Sequence, residues 1–320
     1  MRVLIHWWER HQALLYLLAI AGGAALGLMS PPAVPVMQEL IEPSLMLLLF
    51  STFMAVPLAE AGKGFRDLRF LGTVLGVNFA VMPLAAWGLS RFVMDDQGLL
   101  LGVLLVLLTP CIDYVIVFTG LAGGAQARLL AATPLLMLVQ ILLLPLYLWL
   151  FAGSQALAAI QIAPFIRAFI LLIIIPLAAA ALVQLLGRKT RAGQAIGETM
   201  GAAMVPLMMG TLAAVVGSQI PTVATQLASL ARVVPLYLIF AVIAVLVGSG
   251  AGKAAGLDAG ATRAVMFSAT TRNSLVVLPM ALALPATFAL APMAVVTQTL
   301  VELVIMVVMI RLVPRLARET

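Results

Sequence analysis

The sequence is a succession of long apolar runs separated by short clusters of glycine, proline and charged residues. Runs such as LMLLLFSTFMAVPLAE are continuous and do not alternate between apolar and polar positions, which favours helices over the strands of a transmembrane barrel. A helix needs about 20 apolar residues to cross the hydrocarbon core of a bilayer. The pattern therefore predicts ten membrane-spanning helices, at roughly 12–29, 42–60, 69–92, 98–123, 128–152, 162–186, 198–218, 228–249, 261–285 and 289–312.

Composition strengthens this interpretation. Of the 320 residues, 64% are hydrophobic and 9% are charged, whereas charged residues make up about 25% of an ordinary soluble domain. So few polar side chains could not cover a water-facing surface, so a soluble globule is excluded. The chain is predicted to be an all-α polytopic membrane protein without large extramembrane domains. Its single cysteine, Cys111, permits no internal disulfide, and there are no Cys-His pairs to indicate a structural zinc site.

Basic residues alternate across the predicted connections, as they do where lysine and arginine collect in cytoplasmic loops. Three fall on one side, namely Arg91, Arg167 and Arg232. Fourteen fall on the other, namely Arg2, Arg10, Lys63, Arg66, Arg69, Arg128, Arg188, Lys189, Arg191, Lys253, Arg263, Arg311, Arg315 and Arg318. This asymmetry predicts a multi-pass protein of the cytoplasmic membrane with both termini in the cytoplasm and a retained N-terminal leader. Topology and anionic lipid account for the net charge of +6, and no nucleic-acid partner is implied.

An internal repeat is indicated by a shift of 158 residues, which places TPLLMLVQILLL on APMAVVTQTLVE. Pro134 then matches Pro292, and Gln140 matches Gln298. Five predicted spans separate the two segments, and an odd number requires the copies to have opposite orientations in the membrane. We therefore predict two inverted five-helix repeats, residues 1–155 and 156–320. The alternative, that leucine-rich helices align by composition alone, stays open.

Two spans carry polar interruptions, LLTPCIDYV in the fourth and FSATTRNSLVVLP in the ninth. A charge at the bilayer centre costs roughly 2.5 to 3.5 kcal/mol on insertion scales, so Asp113 and Arg272 each need a partner or a wet cavity. Pro110 removes a main-chain donor, and nearby hydroxyl and amide side chains can bond the freed carbonyls. We expect both helices to be broken and crossed, with Asp113 beside Arg272. Such a pair either fixes helix register or forms a substrate or coupling-ion site, and the second interpretation is favoured.

The candidate site is built around this expected pair. The predicted substrate-binding residues are Cys111, Asp113, Arg272, Asn273 and Ser274, and the predicted coupling or supporting residues are Glu302, Gln140, Gln298, Thr270 and Thr271. Cys111 is either a small packing residue or a soft thiolate ligand, and opposing effects of the neighbouring charges leave the direction of its pKa open. The two glutamines either bond neighbouring helices or support the site. Asn78 in the third span has no assigned role.

The fourth and fifth spans, LLTPCIDYVIVFTGLAGG and ATPLLMLVQILLLPLYLWLF, resemble the signature region of the arsenite-efflux family of arsenical resistance proteins, within the bile acid:sodium symporter superfamily. The ninth and tenth spans, FSATTRNSLVVLPMALALP and VVTQTLVELVIMVV, are similar to the corresponding second pair. By this resemblance, Cys111 matches the cysteine needed for arsenite transport, Glu302 matches an acid of the tenth span, and Asn273 matches one of two adjacent asparagines.

The resemblance also implies ten helices with cytoplasmic termini, inverted five-helix repeats, a panel and a core domain, and crossed discontinuous fourth and ninth helices that frame the site. The chain departs from the family at three positions. Asp113 stands where a small residue is usual, Arg272 stands at the first asparagine, and Leu275 stands at the ninth-span glutamate. An arginine there would repel a cation, so sodium coupling is in doubt, and protonation of Asp113 or Glu302 is the predicted coupling event.

The leading hypothesis is a secondary active, proton-linked exporter of arsenite or a related metalloid, with Cys111 as the metalloid ligand. The alternative is a sodium- or proton-coupled organic-anion symporter in which Arg272 clamps a carboxylate. A membrane sensor or scaffold would not explain two polar breaks. No enzymatic activity and no cofactor are predicted. GSGAGKAAG at residues 248–256 lacks the spacing of a phosphate-binding loop, so energy would come from a gradient, although a separate ATPase subunit is not excluded.

Overall fold

The computed structural model describes residues 2–54, 67–112, 114–159, 167, 170–187, 190–225 and 227–318, and this part of the chain is almost entirely helical. In chain order the helices are α1 (Arg2–Met29), α2 (Ala33–Met54), α3 (Leu68–Gly76), α4 (Met82–Ser90), α5 (Gln97–Leu107), α6 (Tyr114–Leu121), α7 (Gln126–Ala159), α8 (Ile175–Gly187), α9 (Arg191–Thr225), α10 (Leu227–Ala231), α11 (Val233–Ala254), α12 (Ala259–Thr270), α13 (Ser274–Leu282) and α14 (Leu290–Leu316). A π-helical turn, Val77–Val81, joins α3 to α4, and another, Ile170–Ile174, precedes α8.

Six helical segments among the described residues are long and apolar enough to cross a membrane, so the chain is a multi-pass membrane protein. They are Ala33–Ser51, Leu68–Val93, Gln126–Gly153, Ala195–Pro221, Val233–Ala254 and Ala286–Leu316. These segments overlap the second, third, fifth, seventh, eighth and tenth predicted spans. The predicted first and sixth spans contain shorter apolar helices, and the fourth and ninth are each divided in two.

The predicted start of the second span lies too far along the sequence. It was expected to start near residue 42, whereas α2 already begins at Ala33 and continues through Pro43. Pro35 lies in the first turn of α2, where a proline is tolerated because its missing N–H would have no partner there. The acidic Glu39 and two prolines, Pro31 and Pro35, precede residue 42, so the sequence pattern predicted a connection over this first part of α2.

Contacts divide the chain into two compact units, each built from segments of both halves of the sequence. The first unit comprises Met1–Ala59 and Phe165–Leu227. Within it, α9 packs along α1 and α2. Gly23 approaches the main chain of Ala213 so closely that a side chain would collide there, and Ser51 Oγ donates a hydrogen bond of 2.6 Å to the carbonyl oxygen of Met200.

The second unit comprises Glu60–Pro164 and Ala228–Thr320 and contains every described residue of the candidate site. Helix α5 is buried along almost its whole length and packs against α14, where Gly102 lies against Ala291. Helices α11 and α12 pack against each other through a similar close contact, in which Gly248 lies against Met266. Small residues at such crossings let the main chains approach, as in many membrane helix pairs.

We expect the substitution Gly248→Ala to destabilise the second unit. A Cβ at this position would lie 2.7 Å from the Cα of Met266, so α11 and α12 would have to separate. Overpacking of this kind costs about 1 to 3 kcal/mol. Thermal unfolding of the purified protein in detergent measures the loss. Gly250→Ala is the matched control on the same helix, because nothing lies within 4 Å of a Cβ there, and it should unfold at or slightly above the wild-type temperature. Equal effects of the two substitutions would contradict this account of the α11–α12 contact.

Candidate functional site

The chain is interrupted between α5 and α6, where the sequence predicted a break. Helix α5 ends at Leu107, and α6 begins at Tyr114. Pro110 has no main-chain N–H to continue the helix. The hydroxyl of Thr109 donates to the carbonyl oxygens of Leu105 and Val106 at 2.9 and 3.0 Å, which adds hydrogen bonds to the last turn of the ending helix.

The second interruption separates α12 from α13. The hydroxyls of Thr270 and Thr271 each donate a 2.8 Å hydrogen bond to the carbonyl oxygen four residues earlier, in the last turns of α12. Asn273 does not bond a freed carbonyl with its side chain. It caps α13 instead, since its Oδ1 accepts a hydrogen bond of 3.4 Å from the N–H of Val276.

The two interrupted segments pair with each other in antiparallel fashion at Pro110 and Arg272. The N–H of Cys111 donates to the carbonyl oxygen of Thr271 at 3.1 Å, and the N–H of Asn273 donates to the carbonyl oxygen of Thr109 at 2.8 Å. In a bilayer, main-chain groups that leave a helix must find protein partners. Each break therefore supplies hydrogen-bond partners to the other.

Arg272 points its side chain into the protein and is 0% exposed. One terminal nitrogen donates to Asn78 Oδ1 at 2.9 Å and to the carbonyl oxygens of Ser268, at 3.0 Å, and Ala269. The other donates to the carbonyl oxygen of Leu107 at 3.3 Å. The guanidinium carbon also lies 5.1 Å from the ring centre of Phe240, a cation–π contact.

Glu302 of α14 is buried at the same crossing, next to the main chain of Arg272. Its carboxylate accepts a hydrogen bond of 2.8 Å from the N–H of Arg272. It also accepts hydrogen bonds from the Tyr114 hydroxyl and the Gln298 side-chain amide. In the part of the chain that the structure describes, the carboxylate thus contacts the main chain of Arg272, and the guanidinium bonds to uncharged oxygens.

The remaining predicted site residues divide into those near the crossing and those elsewhere. Cys111 is wholly buried within the paired segment, and its neighbour Asp113 lies outside the described residues. Ser274 is buried at the start of α13, and its Oγ has no hydrogen-bond partner among the described residues. The Oε1 atom of Gln298 also lacks a described partner, as does that of Gln140, which is buried on α7.

A small pocket opens beside the crossing within the second unit. It is lined by residues of four helices, including Leu107, Phe240, Thr270, Gln298 and Glu302. Its accessible volume of about 10 Å³ is the space of about one water molecule. Glu302 and Gln298 line it together with Thr270 and mostly apolar side chains, so the pocket provides room for a solvent molecule beside the only described acid of this cluster.

A comparison with protein families identifies the class of protein to which this geometry belongs. The family model described as the Sodium Bile acid symporter family matches residues 42–226, more than half of the chain. The chain belongs to this family. A comparison with curated proteins found no match. Members of the Sodium Bile acid symporter family are transporters and not enzymes, and the several apolar helices fit such a protein.

Asn78 contacts the candidate site, although its place in the sequence did not predict this. Its side-chain amide donates to Ser268 Oγ at 2.9 Å and to the Val74 carbonyl oxygen at 3.0 Å, while its Oδ1 accepts from Arg272. Asn78 lies on the π-helical turn Val77–Val81, and such turns are frequent at functional sites. An amide in the middle of an apolar span was the available signal, but the sequence did not show which span it would meet.

The start of α12 is held by polar contacts outside the apolar segment. Asp258 caps the helix, since its Oδ1 accepts a 2.8 Å hydrogen bond from the N–H of Ala261, and its other oxygen lies 2.8 Å from Arg128. These two contacts, the first being the larger effect, lower the pKa of Asp258 from its ordinary value. Arg128 also contacts Asp67 at 3.4 Å, just before α3. The cap and ion pairs therefore fix α12 relative to α3 and α7 within the second unit.

We expect Asn78→Leu to destabilise the transporter by about 2 to 3 kcal/mol, because a hydrogen bond to a buried charged group contributes roughly 1.5 to 3 kcal/mol. Asn78→Asp keeps an acceptor for the guanidinium and should lose less stability. Denaturant or thermal unfolding in detergent measures both. Thr73→Ala, which removes a hydroxyl bond on the outer part of α3, is the control and should stay within about 0.5 kcal/mol of wild type. Wild-type stability of Asn78→Leu would show that this contact does not hold the site.

Proposed function

We propose that the chain is a secondary active transporter that moves a small organic anion across the cytoplasmic membrane by alternating access. The pairing of Pro110 with Arg272 carries this proposal, because it brings four helix ends to one place inside an apolar unit. Broken helices whose ends meet at mid-depth are a recurrent binding-site design in secondary transporters. The family to which the chain belongs supports the same class of substrate.

Anion binding is supported by the two helix N-termini at the crossing. Helices α6 and α13 both begin there, and helix N-termini carry partial positive charge and open N–H groups. Ser274, at the first position of α13, is 1% exposed, and its hydroxyl has no partner among the described residues. A carboxylate at this place would receive a hydrogen bond from the hydroxyl together with those of the helix end.

The arrangement in the membrane is part of the proposal. We infer ten spans in two inverted repeats, residues 1–155 and 156–320, with both termini in the cytoplasm. The breaks support the repeat, since a shift of 158 places the start of α6 at position 272, two residues before α13 begins at Ser274. The alternation of basic residues along the sequence supports the orientation.

Proton coupling is proposed through Glu302. Its carboxylate accepts three hydrogen bonds, from a main-chain N–H, a phenol and an amide, and it borders a pocket with room for one water molecule. A proton on this carboxyl would turn one acceptor position into a donor and rearrange the contact with the N–H of Arg272. Such a change acts on the connection between α12 and α13, which is the element that forms the site.

A second candidate substrate is arsenite or a related metalloid, and the position of Cys111 favours it. The thiol-bearing residue lies within the paired break itself and is 0% exposed. Trivalent arsenic binds thiols, and a soft ligand at the crossing would select a soft solute. In this alternative the metalloid is the transported substrate, exported in exchange for protons.

For the organic-anion hypothesis we expect purified transporter in liposomes to take up at least one member of a panel of radiolabelled monocarboxylates, dicarboxylates and bile acids when a pH gradient is imposed. Ser274→Ala should weaken apparent affinity about 10-fold, the equivalent of one hydrogen bond to a charged group of ~1.4 kcal/mol. Ser90→Ala removes a hydroxyl bond to Trp87 at the end of α4 and serves as the matched control.

Glu302→Gln in the same assay should abolish accumulation driven by the pH gradient while preserving exchange of labelled for unlabelled substrate. The anion hypothesis fails if no member of the panel is transported above empty liposomes. It also fails if Ser274→Ala matches wild type in affinity for every transported anion. Accumulation by Glu302→Gln at the wild-type level would remove Glu302 from coupling and leave the anion hypothesis standing.

The metalloid hypothesis predicts that cells expressing the protein resist arsenite and accumulate less of it. Cys111→Ser should remove this resistance at unchanged protein abundance, because a hydroxyl is a poor ligand for a soft metalloid. Intracellular arsenic and membrane abundance are measured in parallel, with Ser90→Ala as the control. Undiminished resistance in Cys111→Ser would exclude the thiol from the transport mechanism, and absence of any resistance in wild type would exclude the substrate.

A further inference from the structure

The side chain of Arg272 is surrounded by oxygen atoms of a particular kind. Of its four hydrogen-bond acceptors among the described residues, three are main-chain carbonyls, those of Leu107, Ser268 and Ala269. The fourth is the amide oxygen of Asn78, at 2.9 Å. Leu107 is the last residue of α5, and the other two carbonyls belong to the last turn of α12. The guanidinium is therefore bound by the C-terminal ends of two broken helices.

Helix C-termini attract cations for a physical reason. The last carbonyls of a helix have no N–H partner in the helix, and the aligned peptide dipoles give this end a partial negative charge. In secondary transporters, carbonyls of unwound segments and helix C-termini are the groups that coordinate a sodium ion. Carbonyl and amide oxygens are also the ligands that hard cations prefer. The oxygens around Arg272 thus form a set suited to a small cation.

The family description raises sodium as the coupling ion, but a sodium ion does not fit at these oxygens together with the arginine. Each of the four oxygens already accepts a hydrogen bond from the guanidinium. An ion that shared them would lie within a few ångströms of a fixed positive charge inside a low-dielectric region, where like charges repel strongly. Arg272 is 0% exposed, so solvent does not screen this repulsion.

We propose that Arg272 is a built-in cation that permanently occupies the place of a coupling sodium ion at the ends of α5 and α12, so that the transporter works without sodium. The guanidinium neutralises the two helix ends and holds α5, α12 and the π-helical turn Val77–Val81 together, which a bound sodium ion would do only when present. The inference rests on the proposed transport function, but it concerns ion binding and is tested separately from the substrate.

The first test uses the wild-type protein in detergent. Its thermal unfolding is compared in sodium, potassium and choline chloride at equal ionic strength, and sodium dependence of uptake is measured in liposomes for any solute that is transported. The midpoint should be the same in the three salts, and uptake should not require sodium. A saturable rise in the midpoint that is specific to sodium, or uptake driven by a sodium gradient, would overturn the proposal even if the transport function is correct.

The second test removes the charge. In Arg272→Ala and Arg272→Gln, the carbonyls lose their cation, so the midpoint should fall in choline chloride and rise again in sodium chloride, saturably and by about 3 °C or more. Arg272→Lys keeps a positive charge and should not respond to sodium. Arg263→Ala is the matched control, because Arg263 lies on α12 and, like Arg272, donates to carbonyls, those of Gly123 and Ala317, but at a partly exposed place.

These outcomes distinguish an arginine that takes the place of a sodium ion from an arginine that has only a structural role. An arginine that only fixes helix register would give neutral variants that are destabilised equally in all three salts, and this result overturns the proposal. A sodium response in Arg263→Ala would show that the effect belongs to surface carbonyls and would also overturn it. If neither neutral variant folds, the wild-type comparison decides alone, since a sodium-specific shift refutes the proposal and identical midpoints uphold it. A failed substrate panel leaves these measurements valid.

Discussion

Two main-chain hydrogen bonds between the interrupted segments hold the candidate site together. They join Cys111 to Thr271 and Asn273 to Thr109, and each satisfies groups that a helix would otherwise have paired. An unsatisfied main-chain group in hydrocarbon costs several kcal/mol, so neither helix could be interrupted alone at an acceptable cost. The two breaks are consequently one structural feature. Everything that the site offers, including four helix ends and the orientation of Arg272, depends on this pairing.

Arg272 connects several elements of the second unit, because its main-chain N–H and its guanidinium bond to different elements. Its N–H donates to Glu302 on α14, while its guanidinium reaches the ends of α5 and α12 and Asn78 before α4. Among the described residues, the groups that contact the guanidinium and offset the cost of burying its charge are carbonyl dipoles, an amide and the ring of Phe240. A planar guanidinium with several donors can serve acceptors on three elements at once, which a lysine ammonium on a flexible stem does less well.

Much of the fold could be predicted because it follows from local chemistry. Pro110 and the hydroxyls near Arg272 indicated both breaks, and continuous apolar runs indicated the long helices. The described partners of Arg272 could not be predicted in the same way, because matching opposite formal charges along the sequence pointed only to Asp113, which lies outside the described residues. Helix C-termini carry partial negative charge that no residue type records. Asn78 was missed for a related reason, since only the fold brings residues 78 and 272 together.

Helix C-termini, which are partly negative, and helix N-termini, which are partly positive, both lie at the crossing. In the proposed function, the first group of ends bears on ion coupling and the second on substrate binding. The negative ends of α5 and α12 face the guanidinium, whereas α6 and α13 begin with their positive ends after the paired segments. Ser274, at the start of α13, has a hydroxyl with no partner among the described residues. A mobile sodium ion at the negative ends would make the local charge depend on ion binding. A fixed guanidinium keeps the local charge constant, so the charge at the negative helix ends does not depend on the binding of a cation. Under the proposed proton coupling, the charge that varies is that of Glu302, whose carboxylate contacts the main chain at the same break. Coupling through a proton and recognition of an anion are therefore compatible with one arrangement of charges.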